Sequence, residues 1–316
     1  MNPSFTFPAS TLALSLSAAA LVLASPARAD EPPDAPRAED SAERHQIDRT
    51  WLYTDDARVA SPWTLVGTSS ISYTNVSNDP SRIIDPGDAP TGCRAPCNGY
   101  NSFAGNTATP GAMLQVGGEL GILPRVSVVA LAQVGLGASD VAPNASVGGI
   151  AGLRVSLLPP EWRHLHLAVS GGYLREAWQG PAYDDDTDTW YPGSPNGADG
   201  AWAQAAISGD IGPVRLAGTG HVEHVFAPHR DPYDLMVELG ASYRIVGPFR
   251  AGVEYVGQDL EETFSPEAEG GARHLVGPIA SLQLMSNRLS LVSGPAVGLT
   301  STSPTFVYRL AASYGF

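Results

Sequence analysis

YDLMVELGASYRIVGPFRAGVEYVGQDL, residues 233–260, decides the fold. In its first half Tyr233, Leu235, Val237, Leu239, Ala241, Tyr243 and Ile245 fall on one face, and Asp234, Met236, Glu238, Gly240, Ser242 and Arg244 on the other. After Gly247-Pro248 the alternation resumes: Phe249, Ala251, Val253 and Tyr255 oppose Arg250, Gly252, Glu254 and Gln258. A period of two belongs to a strand with one apolar face, and Gly-Pro between two such runs reads as a turn. The stretch therefore predicts an antiparallel hairpin.

The same alternation runs through the rest of the chain. Segments begin near residues 61, 111, 125, 146, 164, 200, 214, 233, 249, 274, 289 and 304, which makes twelve. Short connections at Leu123-Pro124, 159–163, Gly212-Pro213, Gly247-Pro248 and 286–288 alternate with mostly longer ones at 76–110, 138–145, 179–199, 227–232, 262–272 and 301–303. Short turns on one side and long loops on the other is the asymmetry of a transmembrane β-barrel. A soluble β-sandwich shares the alternation. Three features favour the barrel: strands longer than the usual five or six residues, a second face rich in Gly, Ser, Gln and charge, and aromatics near strand ends on the apolar face. Those aromatics are Trp63, Tyr73, Tyr173, Phe226, Tyr233, Tyr243, Phe249 and Tyr314. The fold class is all-β, an antiparallel barrel over residues 61–316 with about twelve strands. Pro278 and Pro295 fall inside adjacent proposed strands, where each loses a ladder hydrogen bond. They call for a bulge or local break, failing which the count is ten or fourteen.

Composition bounds the rest. The chain has 316 residues, a formal charge of −14, and 18 basic residues that are all Arg. It has no basic stretch to meet nucleic acid. Beyond residue 30 no apolar run approaches the ~20 residues of a membrane helix. Residues 11–25, TLALSLSAAALVLAS, followed by Ala27-Arg28-Ala29, have the form of a signal peptide cleaved after Ala29, although the n-region lacks its usual basic residue. Residues 30–60 read as an acidic, Pro-rich periplasmic leader. Within it, 48–60 is a plug strand, a short helix or a lumenal segment. Cys93 and Cys97, in an exported chain, read as a disulfide at a loop tip.

The ending TFVYRLAASYGF places Tyr308, Leu310, Ala312, Tyr314 and Phe316 on one face. It resembles the final strand of bacterial outer-membrane β-barrel proteins, a broad family of porins, small-substrate channels, adhesion barrels and a few enzymes. The resemblance implies a terminal Phe read by the barrel assembly machinery, with Tyr308, Leu310, Tyr314 and Phe316 as the assembly signal. It also implies outer-membrane lipid as the surroundings.

Register then places the charges. Tight turns set Asp210 opposite Arg215 and Glu119 opposite Arg125, two structural lumen pairs of opposite charge. Arg244 falls opposite Arg250, and Arg154 near His166, giving an arginine surplus at the periplasmic mouth. Glu238, Glu254, His221, Glu223 and Asp234 lie further in, and Arg309 faces inward on the last strand. Two readings follow. Either the carboxylates pair with these arginines across neighbouring strands in a partly filled lumen, or the arginines form an anion-attracting constriction. The expected function is a narrow passive channel or transporter for a small solute or ion. The alternative is a structural or surface-interaction barrel with a closed lumen. A lipid-modifying enzyme would need a Ser/His pair on the lipid face, but His224 and Ser242 fall on opposite faces and no GxSxG or HExxH occurs. No catalytic residue, cofactor or metal is expected. The Asp-rich loop 183–190 departs from the EF-hand pattern and reads as solvated.

Overall fold

Arg273–Leu284, RHLVGPIASLQL, buries every second residue and leaves the residues between partly or fully exposed. The buried set includes Ser281 and Gln283 and the exposed set includes Leu284, so a polar interior is enclosed by an apolar exterior. This is the inverse of a soluble core. The computed structural model describes residues 54–74, 111–137, 145–176 (160, 161 and 163 apart), 182–184, 189–191, 197–226, 233–258, 260, 273–300 and 303–316. Cys93 and Cys97, the signal peptide and residues 30–53 lie outside them.

The strands are β1 (Leu65–Thr74), β2 (Gly111–Leu123), β3 (Val126–Gly137), β4 (Ala145–Ser156), β5 (Leu165–Glu176), β6 (Ala182–Asp184), β7 (Thr189–Tyr191), β8 (Ala198–Ile211), β9 (Val214–Val225), β10 (Asp234–Val246), β11 (Phe249–Gln258), β12 (Arg273–Leu284), β13 (Leu289–Gly298) and β14 (Phe306–Gly315). All but β6 and β7 form one closed antiparallel barrel, in which each strand pairs with its barrel neighbours in chain order and β1 pairs with β14. β6 and β7 make a separate small hairpin in the long connection between β5 and β8. The barrel therefore has the expected twelve strands. Phe316 N donates to Leu65 O at 2.9 Å, so the first and last barrel strands close at the short-turn end. That end is periplasmic in a barrel of this form.

The two prolines are accommodated by a break, not a bulge. Between β12 and β13 the paired residues run Leu275↔Gly298 and Val276↔Val297, then resume at Ala280↔Ser293 with unchanged register. Pro278 and Pro295 thus face one another, where neither could donate a ladder bond. The glycine before each lets the backbones close up: a Cβ on Gly277 would lie 1.9 Å from Pro295 O, and one on Gly294 2.2 Å from Pro278 O.

The outward face is an apolar belt. Leu153, Ile207, Leu239 and Val253 are about half exposed, with Tyr73, Tyr173, Tyr243 and Tyr308 beside them. A monomer in water rarely leaves such a continuous patch uncovered, and hydrocarbon covers it here. Tyr308 and Leu310 point outward, and the rings of Tyr314 and Phe316 meet edge to face at 4.9 Å.

A plugged polar lumen as the candidate functional site

Residues 54–60, TDDARVA, lie inside the barrel. Four of their backbone N–H groups donate to wall side chains: Thr54 to Glu254 Oε1 at 2.9 Å, Asp55 to Thr219 Oγ1 at 2.9 Å, Ala57 to Ser208 Oγ at 3.2 Å and Ala60 to Glu119 Oε1 at 2.7 Å. A segment without regular structure has no ladder to satisfy its amides, so buried backbone of this kind depends on side-chain acceptors. Polar residues at lumen-facing strand positions supply them. Residues 54–60 are thus a lumenal plug, one of the alternatives stated for 48–60. The plug leaves the lumen past Gly121, where a Cβ would sit 2.0 Å from Ser61 O, so only glycine lets the chain pass over the β2 wall.

Side chains tighten the fastening. Arg154 Nη1 lies 2.7 Å from Asp55 Oδ2 and 3.8 Å from Glu119 Oε2, and its Nη2 donates to the Asp56 carbonyl. Gln204 donates to Asp55 Oδ2 at 2.8 Å, and Ser208 to Asp56 Oδ1 at 2.9 Å. Arg58 reaches Asp210 at 2.8 Å. Ala57 packs with Ala168 and Ala206, small residues that leave room for the plug backbone. Burial alone would raise the Asp56 carboxyl. The Arg58 and Arg215 charges, with hydrogen bonds from Arg58 N and Ser208, outweigh it and hold that carboxyl lowered to about 2.

The expected lumen pairs divide. Asp210 and Arg215 form a two-pronged ion pair with both contacts at 2.8 Å, as the Gly212-Pro213 turn predicts. Glu119 and Arg125 do not meet. The β2–β3 turn falls at Pro124–Arg125 with a register shift between Gly121 and Leu123, so Glu119 faces Val129. Arg125 sits exposed in that turn and donates to Ser156 O at 3.0 Å and Leu157 O at 2.6 Å. Glu119 accepts instead from Ser127 Oγ at 2.7 Å.

Arg244 does face Arg250 in register, but the two are not side by side in a constriction. Arg244 is exposed at the rim. Arg250 is buried, with Asp210 at 3.7 Å and hydrogen bonds to Ser242 Oγ and Pro213 O. Arg154 and Arg250 both have carboxylates beside them, and Asp210 is shared by Arg58, Arg215 and Arg250. Among the described lumen residues, Asp55, Asp56, Glu119, Glu176, Asp210, Glu223, Asp234, Glu238 and Glu254 outnumber Arg58, Arg154, Arg215, Arg250, Arg273 and Arg309. The described lumen as a whole thus carries more carboxylates than arginines.

Beside the plug lies a cavity of about 190 Å³ whose lining includes Thr54, Asp55, Ser70, Gln115, Arg154, Trp202, Gln204, His221, Glu238 and Arg309. His221 Nε2 is 2.7 Å from Glu223 Oε1 and its Nδ1 is 3.2 Å from Gln204 Oε1, and its ring stacks on Trp202 at 5.8 Å. Arg309 Nη2 donates to Gln115 Oε1 at 2.6 Å and Ser70 Oγ at 3.1 Å. Glu254, across the plug, is the acceptor for Thr54 N. The cavity thus collects Arg154, His221, Glu238 and Arg309 from the expected pore-lining set. Glu223 stands behind His221, Glu254 lies across the plug, Arg250 is nearer the mouth, and Arg244 is outside. Sequence reading missed Asp55, Asp56, Arg58, Gln204, Gln115 and Trp202. The signal for the first three was the charged run DDAR immediately before the first strand. His224 lies among the rings of Phe226 and Tyr233, at 5.1 and 5.4 Å, whereas Ser242 is buried in the lumen.

No family model and no curated protein matches the sequence. Similar solved structures include an outer membrane channel from Pseudomonas putida F1, at 11% identity over 84% of this chain and 98% of that chain, with a TM-score of 0.49. Others are Omp33 of Acinetobacter baumannii (9% identity, 80% and 98% covered, TM-score 0.39) and a loop L8 deletion mutant of OmpT, an outer membrane protein of Vibrio cholerae (11%, 80% and 98%, 0.36). The barrel's own geometry carries the assignment: closed, antiparallel, even in strand number, apolar outside and charged within. The chain has the fold of a bacterial-type outer-membrane β-barrel.

Proposed function

We propose that this barrel is a narrow channel for small solutes, closed at rest by residues 54–60. The observation that carries the reading is the cavity of about 190 Å³, lined in part by charged side chains, between the plug and the barrel wall. A purely structural barrel gains little from such a space. Filling it with apolar side chains would be as stable or more so, because buried ion pairs seldom outperform hydrophobic packing. Twelve strands lie between side-chain-filled eight-strand barrels and open sixteen-strand porins, so one short segment can occlude the periplasmic half. The net acidic lumen favours cations over anions.

The rival reading, a closed structural or surface-interaction barrel, draws on the same plug: four backbone hydrogen bonds and the Arg154–Asp55 pair fasten it firmly. A hydrolytic reading finds no support in the outward His224 and lumenal Ser242. Outer-membrane lipid would surround the belt, and the assembly machinery would read the Tyr308–Phe316 strand. Planar-bilayer recording separates channel from structural barrel. The channel reading expects infrequent, small, cation-selective steps; a silent membrane under every condition, including plug-loosening substitution, supports the rival.

A further inference from the structure

The half of the lumen away from the short turns holds an apolar wall. Val256 on β11, Leu275 on β12, Ala296 on β13 and Val307 on β14 form one cluster across neighbouring strands, near the ends of those strands. Alternation puts them on the lumen face: Val256 follows Glu254 by two positions, Leu275 follows Arg273, and Val307 precedes Arg309. Their exposures are nonetheless 2%, 0%, 6% and 1%. Side chains standing on one face of a sheet shield each other only edge to edge, and the lumen of an open barrel is wet. The void against this wall is only about 10 Å³, about what one water needs. Another part of the chain therefore lies over it.

The plug is placed to supply that cover. Its described part ends at Thr54, whose N–H donates to Glu254 Oε1, and Val256 is the next lumen-facing position on the same strand. The residues before Thr54 are Trp51-Leu52-Tyr53, the one run of three large apolar or aromatic residues between Pro26 and Ala60. Three extended residues reach about 10 Å, enough to cross two strands spaced about 4.8 Å apart. We infer that Trp51, Leu52 and Tyr53 dock on the wall of Val256, Leu275, Ala296 and Val307 as an apolar anchor for the plug. Residues 51–60 then run from the outer half of the lumen to the periplasmic mouth. The plug is held at one end by apolar contact and at the other by Arg154 and Asp210.

The test is the reaction rate of a single thiol, Leu275→Cys, with a small methanethiosulfonate reagent. It uses the full chain in detergent, with Cys93 and Cys97 replaced by Ser. Replacing Trp51, Leu52 and Tyr53 together by Ser should speed that reaction by about tenfold or more, as a covered site becomes an open one. Leu174→Cys, equally buried but on the far wall with Trp202 and Val225, should keep its rate. An unchanged rate at Leu275→Cys overturns the docking and assigns the cover to an external loop. An equal rise at both thiols also overturns it, since the triple change would then loosen the whole barrel. Should the triple variant fail to give a folded, heat-modifiable barrel, cross-linking decides. Trp51→Cys, Leu52→Cys and Tyr53→Cys are each paired with Leu275→Cys; a disulfide from at least one pair upholds the docking, and none from any pair overturns it. Thiol rates need no current, so this test and the conductance test of the channel fail separately.

Discussion

Asp55→Ala should loosen the plug without unfolding the barrel. Asp55 accepts from Arg154 Nη1 at 2.7 Å and Gln204 Nε2 at 2.8 Å, so its truncation removes two hydrogen bonds to a charged group. Each is worth about 1.5–3 kcal/mol. Arg154 keeps Glu119 at 3.8 Å and the Asp56 carbonyl, which offsets part of the loss. A net weakening of about 3 kcal/mol is a hundredfold rise in the plug-out population, at about 1.4 kcal/mol per factor of ten. The strand ladders do not involve Asp55, so heat-modifiable migration on a gel should persist. Single-channel recording should show open probability rising by about two orders of magnitude at unchanged unit conductance. A folded Asp55→Ala barrel with wild-type open probability would refute the reasoning, because Asp55 would then hold nothing that blocks the path.

Acid should also release the plug. The Asp56 carboxyl is depressed to about 2 in the fold, so it contributes stability above its unfolded value near 4 and loses it as pH falls toward 2. The loss is about 2 kcal/mol, read as rising conductance between pH 4 and 2, and Asp56→Asn should flatten that slope. On the lipid face, Leu239→Arg near the middle of β10 should cost about 2–4 kcal/mol and lower the temperature of gel heat modification. The two facing arginines should behave unequally. Arg244→Gln at the exposed rim should stay within about 0.5 kcal/mol of wild type. Arg250→Gln, which removes a buried charge near Asp210, should destabilise by at least 1 kcal/mol in urea unfolding. Equal effects would place both side chains in the same surroundings.

The barrel was legible because a period of two, repeated between Gly-Pro turns, leaves one way to bury a polar face and expose an apolar one. Register followed where the turn was unambiguous. Gly212 and Gly247 both adopt positive φ, and the Asp210–Arg215 and Arg244↔Arg250 placements rest on them. It failed at β2–β3, where the turn lies at Pro124–Arg125 and a register shift separates Glu119 from Arg125. Alternation also says which face a residue takes but not how deep it sits, so buried Arg250 and exposed Arg244 read alike. The plug was legible only as one of three alternatives for 48–60, without its conformation or its partners. TDDARVA has no periodicity of its own, since its conformation is set by Glu254, Thr219, Ser208 and Glu119, residues between 59 and 200 positions away in the chain.

The central claim is that residues 54–60 sit in the lumen and close it. Ala57 packs against Ala206. With Cys93 and Cys97 replaced by Ser, Ala57→Cys and Ala206→Cys should form a disulfide in the folded barrel. Bilayer recordings of that protein should be silent when oxidised and show steps on reduction, more often if Asp55→Ala is added. Failure of the pair to cross-link, or equal currents in the oxidised and reduced states, would contradict the account.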